Sequence, residues 1–123
     1  MATSSETAGK EIAYLAGPMR GLPRFNFDAF HSAAADLRAR GWEILSPAEH
    51  DEEAGFDPDT MTEGDFDLHS AMRWDIGSVL ISDAVILLPG WQDSWGVSVE
   101  LLVARAIGIK ALTYPNLEVL EDA

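Results

Sequence analysis

From Asp83 to Gly90 the sequence reads DAVILLPG, an unbroken apolar run closed by Pro-Gly. A run without polar alternation suits a strand buried on both faces, as in the middle of a parallel sheet. Parallel neighbours need crossover helices, so the flanking sequence has to alternate between strand and helix. It does. EIAYLAG (residues 11–17) is a second short apolar run stopped by Gly-Pro, WEILSPAEH a third ending at Ser46-Pro47, and IKALTYP a fourth ended by Pro115. Between the first two, Phe27, Phe30, Ala33, Ala34 and Leu37 recur at helical spacing before a stop at Gly41. A second helix is predicted over about residues 68–80, and SWGVSVELLVARAIG gives a third, closed by Gly108. The pattern predicts an α/β fold: a three-layer, Rossmann-like (flavodoxin-like) domain with a parallel sheet of four to five strands.

The remaining segments carry less periodicity. DEEAGFDPDTMTEGDFD is rich in Asp, Glu, Gly and Pro and reads as an acidic loop, long enough for a lid or a rim. The opening MATSSETAGKE has neither the basic start nor the apolar stretch of a signal peptide. A short disordered lead is expected over residues 1–10, followed by one domain over 11–123 with no internal repeat. No apolar run approaches the roughly 18 residues of a membrane span.

Charge narrows the partners. Eight basic against 21 acidic residues leave a net charge of −13. Nucleic-acid polymers are bound by neutralising phosphates, so DNA or RNA is not an expected partner. A small anion can still bind where basic side chains and free backbone N–H groups converge. The absence of Cys removes disulfides and thiolate chemistry and fits a cytoplasmic protein.

In such a sheet, ligands bind beyond the carboxyl ends of the strands, where the strand order reverses. AGPMRG and LPGWQDSWG both fall at those ends. In the first, glycines permit close backbone approach, the next helix start favours an anion, and Arg20 adds a forked donor. It is neither GxGxxG nor GxxxxGK[ST], and it reads equally well as a tight turn with a solvent Arg. In the second, Glu100 stands among Val97, Val99, Leu101 and Leu102. A carboxylate so placed is either a nucleophile suited to an anomeric carbon or a helix-surface residue packing its stem. Asp75 lies among Trp74, Ile76, Val79 and Leu80, whereas Asp83 fits a turn or cap. His31, His50 and His69 do not fall at metal-ligand spacing, DPDTMTEGD places its Gly too late for a calcium loop, and no GxSxG exists. No metal site is expected.

YLAGPMRG, MRWDIGSVLISDAVILLPG and SWGVSVELLVARAIGIKAL, in that order over residues 12–114, resemble the nucleoside 2-deoxyribosyltransferase superfamily. The likeness is closest to its deoxynucleoside 5'-monophosphate N-glycosidase branch. The resemblance implies that Glu100 is the catalytic nucleophile, Asp75 its partner carboxylate, and Tyr14 a strand-end residue lining the site. It makes Ser94 informative. Six residues before the nucleophile, the base-exchanging transferases carry an Asp that holds the sugar 5'-hydroxyl, and the hydrolases carry Ser. Arg20 likewise stands where the hydrolases use an Arg. The implied substrate-binding set is Gly17, Met19, Arg20, Gly21, Trp91, Ser94 and Gly96. The tryptophans of GWQDSW depart from the hydrolase pattern, and they suit either stacking on a base or burial in a subunit contact.

The implied activity is hydrolysis of the N-glycosidic bond of a (2'-deoxy)nucleoside 5'-monophosphate through a glycosyl-Glu intermediate, without metal or coenzyme. Base exchange between nucleosides, or a non-catalytic nucleotide-binding sensor or interaction module, are the alternatives. A homodimer or dimer of dimers is expected, because the family pocket is completed by the C-terminal region of a neighbouring subunit. Asn116 is the one candidate for that residue here, and the first two helices look more apolar than a monomer needs. The expected location is the cytoplasm, or the host cytosol if the chain is phage-borne.

Overall fold

The computed structural model describes residues 10–121. Apart from Lys10, the expected N-terminal lead lies outside the described residues.

Five strands form one sheet: β1 (Ile12–Ala16), β2 (Glu43–Leu45), β3 (Ala84–Leu87), β4 (Lys110–Thr113) and β5 (Glu118–Val119). Their order is β2-β1-β3-β4-β5. Among the described residues four α-helices accompany them: α1 (Phe27–Ala39), α2 (Pro47–Glu53), α3 (Leu68–Ile81) and α4 (Trp95–Ile107). β1 pairs in parallel with both β2 and β3, and β3 with β4. This is the three-layer, Rossmann-like arrangement that the alternation predicts.

Burial follows the period-two rule of strands. On one face Ala13 and Leu15 of β1 and Ala84 and Ile86 of β3 meet Phe27, Phe30, Ala33, Ala34 and Leu37 of α1 and Ala48 of α2. On the other face Tyr14, Ala16, Val85 and Leu87 meet Val79 of α3 and Val97, Leu101 and Ala104 of α4. All four residues of β3 are buried, which is why its sequence shows no alternation.

Three expectations are corrected. The sheet is not wholly parallel, because β5 runs antiparallel to β4 after a turn in which Leu117 takes φ 59°. Two-residue exposed strands of this kind leave no periodic signature. The acidic segment does not begin as loop, because residues 47–53 form α2. Pro47 opens that helix, where its missing N–H is no loss. Only Pro47, Ala48 and Asp51 of α2 are buried, too few apolar contacts to show a helical period. Finally, the apolar face of α1 is consumed by the core, and the exposed large apolar residues carried by helices lie on the second and third predicted helices. They include Leu80 and Ile81 on α3 and Trp95 and Leu102 on α4.

The carboxyl ends of β1 and β3 are held together by close backbone approach. A Cβ added to Gly17 would sit 2.9 Å from Leu88 Cβ. Gly90 takes φ 88°, and a Cβ there would lie 3.2 Å from Pro18 Cγ. Beyond Gly17, Arg24, Phe25 and Asn26 all adopt left-handed φ values of 50°, 54° and 63°. Such conformations are unfavourable for residues with a Cβ and persist only when surroundings fix them. Here Asn26 Nδ2 donates to Pro18 O at 2.9 Å, tying the turn back onto the β1 loop.

Gly17→Ala is therefore expected to destabilise the fold by about 1–3 kcal/mol in urea unfolding, because Leu88 is backed by the core. Gly77→Ala on α3, where a Cβ meets nothing within 4 Å, is expected to raise stability by up to about 1 kcal/mol.

Candidate functional site

Strand order reverses between β1 and β3, and a cleft of about 340 Å³ opens over their carboxyl ends. Its floor joins three elements. Tyr14 from β1 is 1% exposed, and its hydroxyl donates to Glu100 Oε2 of α4 at 2.9 Å. Asp75 from α3 completes the group: its Oδ1 is buried without a hydrogen-bond partner. The opening stretch of α4 explains the position of Glu100. Ser94 caps that helix, its Oγ accepting from Val97 N at 3.2 Å, so the first turn points at the cleft and Glu100 follows on its buried side.

These ionisable groups perturb one another, and among the described residues no cation lines the floor. Burial, then the negative charge of Asp75, pushes the Glu100 carboxyl well above the glutamate range. Burial, then the charge of Asp51 on α2, does the same to Asp75. Two carboxyls so close cannot both ionise easily, so the pair titrates as a unit and retains a proton near neutrality. The bond donated by Tyr14 favours charge on Glu100, while the hydrogen bond between the two carboxyls raises Glu100 and lowers Asp75. Tyr14 itself stays a neutral phenol, because burial and then the Glu100 charge raise its pKa. The result is a coupled pair of buried carboxyls that holds one proton between them, with a phenol donating to one of them.

The rim is built differently. Gly17, Met19 and Arg20 of the β1 loop face Ser94 and Gly96 at the start of α4 across the opening. The N–H groups of that first turn lack intrahelical partners, and Ser94 keeps its own hydroxyl hydrogen to donate. Arg20 is exposed and has no ion-pair partner among the described residues. Glu63 and Asp93 also line the opening, so this cation sits in an acidic lip.

Two of the residues named from sequence do not reach the cleft lining. Trp91 is packed against the core on the α3–α4 face, and the cleft-lining tryptophan is Trp95, which is 72% exposed. Gly21 takes φ 79° and turns the loop away. Asn116 lies exposed in the turn between β4 and β5. Sequence reading also missed an aromatic wall. Phe56 meets Phe25 edge-on at 5.0 Å and Phe66 at 5.5 Å, and all three line the cleft with Phe27 and Met72. Phe56 and Phe66 were visible as isolated apolar residues in the acidic segment, the one signal that this segment folds back over something.

Among the described residues no group of three or more His, Asp or Glu side chains is arranged to hold a metal ion, and no helix is long and apolar enough to cross a membrane.

The chain belongs to the family described as a domain of unknown function, DUF4406, which matches residues 11–113 and so spans both cleft loops and all three floor residues. No curated protein matches the sequence significantly.

The sign of the Glu100 shift yields a stability test. A carboxyl whose folded pKa is raised favours the folded state most at low pH. That contribution is lost as the pH climbs from the ordinary glutamate range through the raised value. Glu100→Gln removes the ionisation. Its melting temperature is expected to exceed that of the parent chain at pH 8.5, with the gap closing towards pH 5 in a calorimetric series.

Proposed function

We propose that the protein hydrolyses the N-glycosidic bond of a (2'-deoxy)nucleoside 5'-monophosphate, releasing the base and a (deoxy)ribose 5-phosphate. The observation that carries this reading is the floor of the cleft: a buried carboxyl bonded to a tyrosine hydroxyl, with a second buried carboxyl beside it, one oxygen of which has no hydrogen-bond partner. The likeness to the deoxyribosyltransferase superfamily supports it through the same residues.

In the first step a Glu100 oxygen bonds to C1' as the C1'–N bond breaks. The bonding pair leaves with the base, and Asp75 supplies the proton that neutralises it. In the second step water attacks C1', Asp75 takes the water proton, and the Glu100 carboxylate is released. By donating to Glu100, Tyr14 favours the ionised form that attacks and steadies the leaving carboxylate afterwards. The phosphate lies against Arg20, the Ser94 hydroxyl and the Gly96 N–H, and the base against the phenylalanine wall. No metal or coenzyme is needed.

Base exchange follows from the same floor if a second base takes the place of water. A hydrolase requires only that water reach C1', which an open cleft permits. The protein is also expected to form at least a dimer. Trp95 and Leu102 lie one heptad apart on α4, and Leu80 and Ile81 extend an exposed apolar surface on the same layer. Light scattering at micromolar concentration checks this, and a monomer mass alone would rule it out.

Incubation with a panel of nucleosides and 5'-monophosphates, followed by chromatography for free base, tests the activity. Release without an added acceptor base supports hydrolysis. Release only with an acceptor supports exchange, and tight binding without turnover supports a sensor. Glu100→Gln is expected to lower kcat by roughly 10³ or more while nucleotide binding changes only a few-fold. A near-parental rate would remove Glu100 from the reaction.

The phosphate site has its own test. Ser94→Asp retains a helix-capping oxygen but places a charge beside the phosphate, so monophosphate turnover is expected to fall far more than nucleoside turnover. Arg20→Ala is expected to raise KM for monophosphates roughly tenfold or more through loss of a charge-assisted bond. Equal effects on phosphorylated and unphosphorylated substrates would refute that placement.

A further inference from the structure

Phe56, Phe66 and Ala71 separate the cleft from a second cavity of about 320 Å³. Asp51 lines that cavity from α2 and is only 6% exposed. Among the described residues no hydrogen bond or ion pair reaches its carboxyl. The cations of α1 are engaged elsewhere on the same helix, Arg38 with Glu49 and His31 with Glu52. Two further acids line the cavity, and both are fixed in place. Asp67 caps α3, where bonds from the backbone and hydroxyl of Ser70 hold its carboxyl below the usual range. Asp65 accepts from the backbone and hydroxyl of Thr62 through Oδ2 alone, which leaves its Oδ1 able to accept from a ligand.

We propose that this second cavity binds a small organic cation, a primary alkylammonium. Its ammonium donates to the Asp51 carboxylate, Asp65 and Asp67 offer further acceptors, and the alkyl chain lies against Phe56, Phe66 and Met61. The site is separate from the cleft and depends on no reaction there.

The lining selects that chemical class. Three carboxyls face one cavity, and among the described residues no Lys or Arg lines it. Its one other titratable side chain is His50, whose ring is stacked on Trp74 at 4.3 Å. A buried carboxyl is stable as a charge only when paired, and burial pushes Asp51 up to about 7. A bound cation would remove that penalty. A divalent metal fits poorly, because such ions take about six or more oxygen ligands. Among the described residues no group of three or more His, Asp or Glu side chains is arranged to hold one. The aromatic side points to an organic cation instead. Phe56 N donates to Asp51 O at 2.9 Å, which keeps the two residues together on the cavity wall. Phe66 meets Phe56 edge-on at 5.5 Å, so the same wall offers π surface to a cation and apolar cover to its chain. An unpaired carboxyl also accepts N–H hydrogens, which a primary ammonium has and a quaternary one lacks.

Butylamine hydrochloride, titrated into the full chain at constant ionic strength and followed by NMR, tests the site. Saturable shifts are expected at Asp51, Phe56, Phe66 and Met61, with nuclear Overhauser contacts from the butyl protons to the Met61 methyl. The two phenylalanines also line the cleft, so contacts to Met72 or Phe25 instead would place the amine there and overturn the proposal. Asp51→Asn is expected to weaken binding roughly tenfold or more through loss of a charge-assisted bond, and parental affinity in that variant would overturn the site. If the variant does not fold, the parent chain decides. Its ¹³C-labelled Asp51 carboxyl is expected to titrate at lower pH with butylamine bound, and an unchanged titration would refute the pairing. Equal shifts from sodium chloride would also overturn the site, because they would mark only counter-ions around a chain of net charge −13. Tetramethylammonium is expected to bind more weakly for want of N–H donors, and equal affinity would sink the assignment to a primary amine.

Discussion

The parallel pairing of β1 with β3, buried on both faces, is the constraint from which the rest of the molecule follows. Because Tyr14 stands opposite Val85, both strands end at one level, and both following loops must turn at the same place. Gly17 and Leu88 meet there too closely for a side chain on the former. The cleft is therefore the space left over where two crossovers depart in opposite directions, and α4 starts at its edge for the same reason. Glu100 and Tyr14, 86 residues apart in sequence, are brought within a hydrogen bond by that pairing.

The floor works against the stability of the fold it sits in. Several buried or half-buried carboxyls share a small region with a phenol as the one bonded donor. A core optimised for stability would replace them with apolar side chains or supply a cation. Neither occurs, although Arg38 and Arg40 are available elsewhere for surface pairs with Glu49 and Asp36. The concentration of unfavourable ionisable groups at the carboxyl end of the sheet supports the proposal that the cleft is a working site.

How much of this the sequence revealed depended on whether a feature has a period. β3 and β1 announced themselves as unbroken apolar runs, and α1, α3 and α4 as helical ones, so the layers and the position of Glu100 were legible. α2 was not, because a seven-residue helix burying only Pro47, Ala48 and Asp51 has no apolar stripe. The aromatic wall was illegible for another reason. Phe25, Phe56 and Phe66 come from separate segments and meet only in three dimensions. Trp91 and Trp95 were interchangeable on paper. The structure distinguishes them because α4 begins at Trp95, which points that side chain outward, while Trp91 folds into the preceding turn. Asp51 looked like one acid among many in a loop, and only its burial sets it apart.

The acidic lip around Arg20 has a kinetic meaning. A chain of net charge −13 repels an anion at long range, and Glu63 and Asp93 extend that repulsion to the mouth of the cleft. Arg20 attracts only at contact. Mobile ions screen distant charges over roughly 8–10 Å at physiological ionic strength but weaken a contact pair far less. An anionic ligand would then meet its main barrier during diffusion, before it is captured. Moderate salt would speed its encounter, the reverse of the steering that basic clefts exert on the same ligands.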